Sequence, residues 1–199
     1  MYKNRFEGIT YGGDSSTDIS TLFKLEPDLA EGTPPHGMHA YCDATWNNEI
    51  DRYGIIILYR GAAVFFETKK VIGVNSSSTE NEGIAGMRCS ERVRTCLDIA
   101  ENLEGRAHEG PVLIGCDNSA TVGIVNGVAS PGRIKHILRR FKVIQQRVQK
   151  NEIKLYHVPD EDNPADFLTK WTSKAKVDAS VAYLSGTRSL GSNTAEHTA

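Results

Sequence analysis

No apolar run in this 199-residue chain approaches the roughly 18 residues that a membrane span requires. The opening residues, "MYKNRFEGITYGG", hold no apolar core of the kind a secretory leader carries, so an intracellular protein is expected. Cysteine is scarce: Cys42, Cys89, Cys96 and Cys116 are the four present, and no two form a CxxC pair. Three of them sit in apolar or amphipathic runs, where a reduced, buried thiol is the default state rather than a disulfide or a metal ligand. Neither sign of charge dominates, since the net value is −2, and the whole chain is no polycation. No internal repeat occurs.

What is present describes an ordinary globular chain, with 39% hydrophobic and 24% charged residues, long enough for one well-packed domain. Residues 1–37 carry Gly, Ser, Asp and Pro clusters ("YGGDSSTD", "EGTPPHG") and form an irregular lead-in, with room for a short strand near Gly8–Tyr11. Residues 186–199 are a polar tail of disordered composition. Residues 38–185 make the domain. "HAYCDATW" predicts a first strand, and "YGIIILYRG" with "AAVFFETKK" predicts a hairpin. A long helix follows from "SSSTENEGIAG", capped by Ser or Thr, with Gly83 and Gly86 weakening its first turns. "PVLIGC" is a buried strand and "NSATVGIVNG" a short helix. In "RIKHILRRFKVIQQRVQK", Ile134, Ile137, Leu138, Phe141, Ile144 and Val148 share one helical face, and basic residues take the other. "EIKLYHVP" is a fifth strand, and "NPADFLTK" opens a last helix with Pro164 in its first turn. The order predicts an α/β fold: one five-stranded mixed sheet, three strands antiparallel and the rest parallel, with helices on both faces.

Four carboxylates stand out, each on a different element. Asp43 lies inside the first strand, where Asp is depleted. Asp117 sits where the apolar run of the fourth strand stops, as a helix cap or as a site residue. Asp166 opens the last helix, where the helix dipole alone favours an acid. Glu80 and Glu82 both fall early in the long helix, and one of them has a structural role. Carboxylates gathered at one sheet edge repel, and each is costly to desolvate. Mg²⁺ relieves both problems, because it takes oxygen ligands and joins carboxylates to substrate phosphates. Two such ions about 3.5–4 Å apart can clamp the attacking and leaving oxygens of a phosphoryl displacement.

The runs "YCDATW", "NSSSTENEGIAG", "LIGCDNSAT", "IKHI" and "LYHVPDEDNPADFLTK", in that order, resemble the ribonuclease H domain of copia-type LTR retrotransposon polyproteins. The likeness spans about Gly8 to Ser185, with "GITYGG" similar to the linker after the reverse transcriptase. It implies a ribonuclease H-like fold and cleavage of the RNA strand of RNA–DNA hybrids with two Mg²⁺ ions, Mn²⁺ being able to substitute. It also implies a reverse transcriptase domain of the same polyprotein as partner, and a cytoplasmic (virus-like particle) or nuclear address. The family's catalytic and metal-binding carboxylates fall on Asp43, Glu82, Asp117 and Asp166, with Glu82 matched as the later acid of "TENEG". Asp43 is the expected bridging ligand, Glu82 and Asp117 the holders of one ion, and Asp166 of the other. The chain departs from the family at Gly83, where a Tyr is expected, and at "DAT", where "DAD" is frequent. The catalytic His of cellular ribonucleases H has no counterpart in "VPDEDNPAD", as is usual in retroelements.

Nucleic-acid contact is expected from Asn118, Arg133, Lys135, His136, Arg139, Arg140 and Lys142. Residues 133–150 hold seven Lys or Arg and no acid, a face suited to phosphates. Asn118 either reads a ribose 2′-hydroxyl or caps the short helix. Trp46 and Trp171 are expected to pack in the core or at its rim, with stacking on the hybrid as the rival reading. The alternative function is an inactive retroelement relic that only binds nucleic acid. Strand transfer by an integrase-like relative is disfavoured, because such enzymes use a smaller acidic set and a zinc-binding His/Cys module that this sequence lacks.

Overall fold

The computed structural model describes residues 37–46, 50–60, 62–72, 77–108, 110–128 and 138–185. The expected strand near Gly8–Tyr11, the lead-in before Gly37, Arg133, Lys135, His136 and the polar tail lie outside the described residues. Five strands form one sheet in the order β3-β2-β1-β4-β5: β1 (Met38–Ala44), β2 (Arg52–Tyr59), β3 (Ala62–Lys70), β4 (Val112–Cys116) and β5 (Ile153–His157). β1, β2 and β3 pair antiparallel, and β4 and β5 run parallel to β1. The described helices are α1 (Ser78–Glu104), α2 (Ser119–Val125), α3 (Leu138–Gln149) and α4 (Lys174–Leu184).

Side-chain alternation sends residues to two cores, one on each face of the sheet. Met38, Ala40 and Cys42 of β1 join Ile55, Ile57, Ile114 and Leu155 under α1, α2 and α3. Tyr41 joins Ile56, Leu58, Leu113 and Tyr156 on the opposite face, under Tyr183 and Leu184 of α4. β3 is an edge strand, and its outer half ends in Glu67, Thr68, Lys69 and Lys70, charge that discourages pairing with another chain.

α1 starts at Ser77, whose side chain accepts from the Glu80 N–H at 3.2 Å, and ends at Gly105 in the left-handed region (φ 67). The helix runs unbroken through Gly83 and Gly86. A Cβ at Gly83 would meet Phe141 Cζ at 2.7 Å, and one at Gly86 would meet Ile144 Cδ1 at 3.5 Å. The two glycines form the seat into which α3 presses Phe141 and Ile144, both buried.

The last expected helix is corrected. "NPADFLTK" forms a turn rather than an α-helix: short 3-10 turns at Asp160–Asp162 and Asp166–Leu168 precede α4, which begins only at Lys174. The Asn163 side chain explains the change. Its Nδ2 donates to Cys42 O and its Oδ1 accepts from Ala165 N–H, each at 3.1 Å, which ties the segment to β1. Gly54 lets it come close, because a Cβ there would lie 2.8 Å from Leu168 Cβ and 3.0 Å from Thr169 Cγ2.

Candidate metal centre

The parallel register pairs Cys42 with Cys116, so Asp43 and Asp117, one residue further on, leave neighbouring strands side by side. This is the carboxyl end of the parallel strands, where open α/β sheets place their ligand sites. Glu82 comes from the first turns of α1 to the same edge. Its Oε1 accepts from Ala44 N–H at 3.2 Å, and its Oε2 accepts from the Cys116 thiol at 3.8 Å. Ligand atoms of Glu82, Cys116 and Asp117 lie within 4.8 Å of one another. Glu80 turns the other way and meets Arg140 Nη1 at 3.6 Å.

Asp43, Glu82 and Asp166 are buried, and Asp117 is half-buried. Burial first, and then the neighbouring Asp43 carboxylate, pushes the Asp117 carboxyl up to about 7, partly opposed by Lys170. Burial likewise raises Glu82 well above the ordinary carboxylate range, with Cys116, Asp117 and Asp43 adding to the effect. Three acids from β1, α1 and β4 therefore share a site in which negative charge is under-compensated.

Asp166 is placed differently. It opens a 3-10 turn, its carboxylate contacts Lys170 Nζ, and Lys176 Nζ lies 2.5 Å from its other oxygen. Its backbone is close to Asp43 nonetheless: the Thr169 hydroxyl donates to Asp43 Oδ2 and sits 3.0 Å from the Asp166 carbonyl. Thr169, Lys170, Lys176, Asn163 and Cys116 were not singled out as site residues in the sequence. The only signal was that Asn163, Thr169 and Lys170 belong to the quoted "NPADFLTK" run, and that Cys116 precedes Asp117.

The contact residues divide. Asn118 caps α2, its Oδ1 accepting from Thr121 N–H at 2.9 Å, so any ribose contact would come from Nδ2. Arg140 is engaged by Glu80, while Lys142 is exposed. Arg139 belongs to α3, but its side chain is outside the described set. Trp46 and Trp171, expected in the core or at its rim, are 54% and 90% exposed and so lie outside the core. The cysteines are free thiols, with Cys42, Cys89 and Cys116 buried. No described helix is long and apolar enough to cross a membrane.

This strand order, with acids from β1, α1 and β4 meeting at one edge, is the ribonuclease H-like α/β fold. A solved ribonuclease H1, LC11-RNase H1 in complex with an RNA/DNA hybrid, superposes with a TM-score of 0.54 at 17% identity, covering 66% of this chain and 92% of that one. The homologues of the chain are retrotransposon Pol polyproteins. That of transposon RE2 from Arabidopsis thaliana is 30% identical over 174 residues, 80% of this chain. That of transposon RE1 from the same plant is 31% identical over 157 residues, 72% of this chain. The chain spans about 12% and 11% of the length of these two relatives. No protein-family model matches it.

Proposed function

We propose that the chain is a metal-dependent endoribonuclease that cleaves the RNA strand of RNA–DNA hybrids, as part of a copia-type retrotransposon Pol polyprotein. One observation carries the reading: Asp43 and Asp117 stand side by side on parallel strands with the Glu82 carboxylate beside them. The donor set fits a hard divalent cation, since it is carboxylate-rich, and its crowding raises Asp117 and Glu82 as only an unmet positive charge would relieve. Asp43, Glu82, Asp117 and Asp166 would hold two Mg²⁺ ions, with Mn²⁺ an effective substitute. Bound there, the ions supply an activated water and stabilise the leaving 3′-oxygen.

The residues of the chain do the positioning. Ala44 N–H fixes Glu82, Thr169 fixes Asp43, and Asn163 holds the Asp166 turn against β1. Asp117 carries a proton below about pH 7 and must release it before its oxygens can ligate, so metal affinity rises with pH up to that point. The hybrid itself is proposed on the analogy of the structural neighbour, whose own complex holds one. Lys142, with Arg133, Lys135, His136 and Arg139, would meet backbone phosphates, and Nδ2 of Asn118 a 2′-hydroxyl. A reverse transcriptase domain of the same polyprotein is the proposed partner, given that the homologues are Pol polyproteins. The proposed compartment is intracellular, cytoplasmic or nuclear.

A hybrid-cleavage assay with Mg²⁺ is the test. Cleavage by the wild type that is abolished by EDTA and by Asp117→Asn supports the reading. Salt-sensitive hybrid binding without cleavage supports the binding-only relic instead.

A further inference from the structure

Lys170 is one of two lysines that contact the carboxylate of Asp166. Its Nζ lies 2.8 Å from Asp160 Oδ1 and contacts Asp166 Oδ1, and its charge also acts on Asp43 and Asp117. The two anions it joins are unlike: the side chain of Asp160 is 64% exposed and that of Asp166 is 2% exposed. Lys170, itself 40% exposed, reaches from solvent into the buried site along a flexible stem. Lys176 is less free, at 20% exposed, and donates to the Asp160 carbonyl at 2.7 Å while holding Asp166.

We propose that Lys170 is a tethered counter-ion: it neutralises the carboxylates of the metal-free site and withdraws to Asp160 when a divalent cation enters. This rests on the reading that Asp43, Glu82, Asp117 and Asp166 bind such cations. Without an internal cation, the folded metal-free protein would hold clustered acids at a cost that burial magnifies. A permanent cation there would block the metal. A lysine meets both demands because its compact ammonium moves on rotatable bonds, and Asp160 supplies a place to receive it at the solvent edge. Lys170 is thus a positioning residue that sets metal affinity by competition, without touching the substrate.

Mn²⁺ binding to the full chain, followed by electron paramagnetic resonance of the free ion, tests the idea in a double-mutant cycle. Lys170→Gln should bind Mn²⁺ about tenfold more tightly, the scale of one screened charge at the edge of a site. The same variant should melt earlier than the wild type in EDTA. Asp160→Asn should bind several-fold more weakly, yet have no effect on top of Lys170→Gln. Additive effects in the cycle would mean that both residues act only through space, and would overturn the proposal, as would unchanged or weaker binding by Lys170→Gln. Should that variant fail to fold, the Lys170 side-chain resonance of the wild type decides during a Mg²⁺ titration. Movement in step with metal occupancy supports displacement, and a fixed signal overturns it. A wild type that binds no Mn²⁺ at all would instead remove the metal-centre reading itself.

Discussion

Replacing Asp117 by asparagine should make the metal-free protein more stable, and only at neutral to alkaline pH. The folded carboxyl is raised from 3.8 to about 7, a difference of about three units. A raised pKa means that the folded state binds the proton more tightly than the unfolded one. Its contribution is therefore fully favourable below the unfolded value and is lost as pH rises through about 4 to 7. At about 1.4 kcal/mol per unit the loss would be about 4 kcal/mol, and solvent screening of this half-buried group reduces it to about 2 kcal/mol. For a domain of this size that is a melting shift of about 4–8 °C. His39 runs the other way: burial lowers it from 6.5 to about 3, so it destabilises the fold as pH falls through that window. The two oppose each other in the raw stability curve, so the informative quantity is the difference between Asp117→Asn and wild type. Thermal melts followed by circular dichroism in EDTA should show that difference near its full size at about pH 8 and shrinking toward zero near pH 4. In Mg²⁺ at pH 8, the wild type should gain stability and the variant should gain little. A difference that is flat with pH, or a variant less stable than wild type at pH 8, would refute the charge-crowding argument.

Gly83→Ala should destabilise the fold by about 1 kcal/mol, because overpacking against Phe141 outweighs the gain in helix propensity. In a Phe141→Leu background the same change should become neutral or stabilising, read from urea midpoints. Gly54→Ala should push the Asp166–Leu168 turn away from β2, lowering Mg²⁺-dependent cleavage far more than it lowers the melting temperature. Asn163→Ala leaves Cys42 O and Ala165 N–H without a buried partner and should cost about 1–3 kcal/mol in denaturant titrations. Trp46 and Trp171 are the two tryptophans of the chain and both are exposed, so hybrid binding should quench intrinsic fluorescence, and Trp171→Leu should remove much of that signal.

The sheet was legible because its strands carry local signatures: the β-branched run of β2, the Arg60-Gly61 break before β3, and apolar β4 stopping at Asp117. Those signals are period and turn chemistry, which depend little on distant residues. The cap of α2 by Asn118 was equally local. The turn around Asp166 was not. Pro164 followed by Ala165 and Asp166 has the composition of a helix start, but the bonds from Asn163 to β1 and the gap left by Gly54 come from elements more than a hundred residues away. Tertiary contact overrode local preference there, and the exposure of Trp171, on the stretch between that turn and α4, was misjudged with it. The packing role of Gly83 was hidden for the same reason, since its partner Phe141 lies on another helix.

The ion pairs of the site belong to this hidden class. Lys176 meets Asp166 and Asp160 because the first turn of α4 folds back on the 3-10 turns, while Lys170 reaches Asp166, four residues before it, through the turn itself. Their presence bears on the choice between enzyme and relic. Buried carboxylates held only for structure tend to be neutralised by fixed partners, as Glu80 is met by Arg140. Glu82, whose bonds come from a backbone N–H and a thiol, and Asp117, raised to about 7, are left in excess of the two lysines. Substitutions that relieve such crowding would stabilise the fold and would accumulate readily in a chain with no metal to bind. All four acids persist in this sequence, which supports a site still arranged around cations.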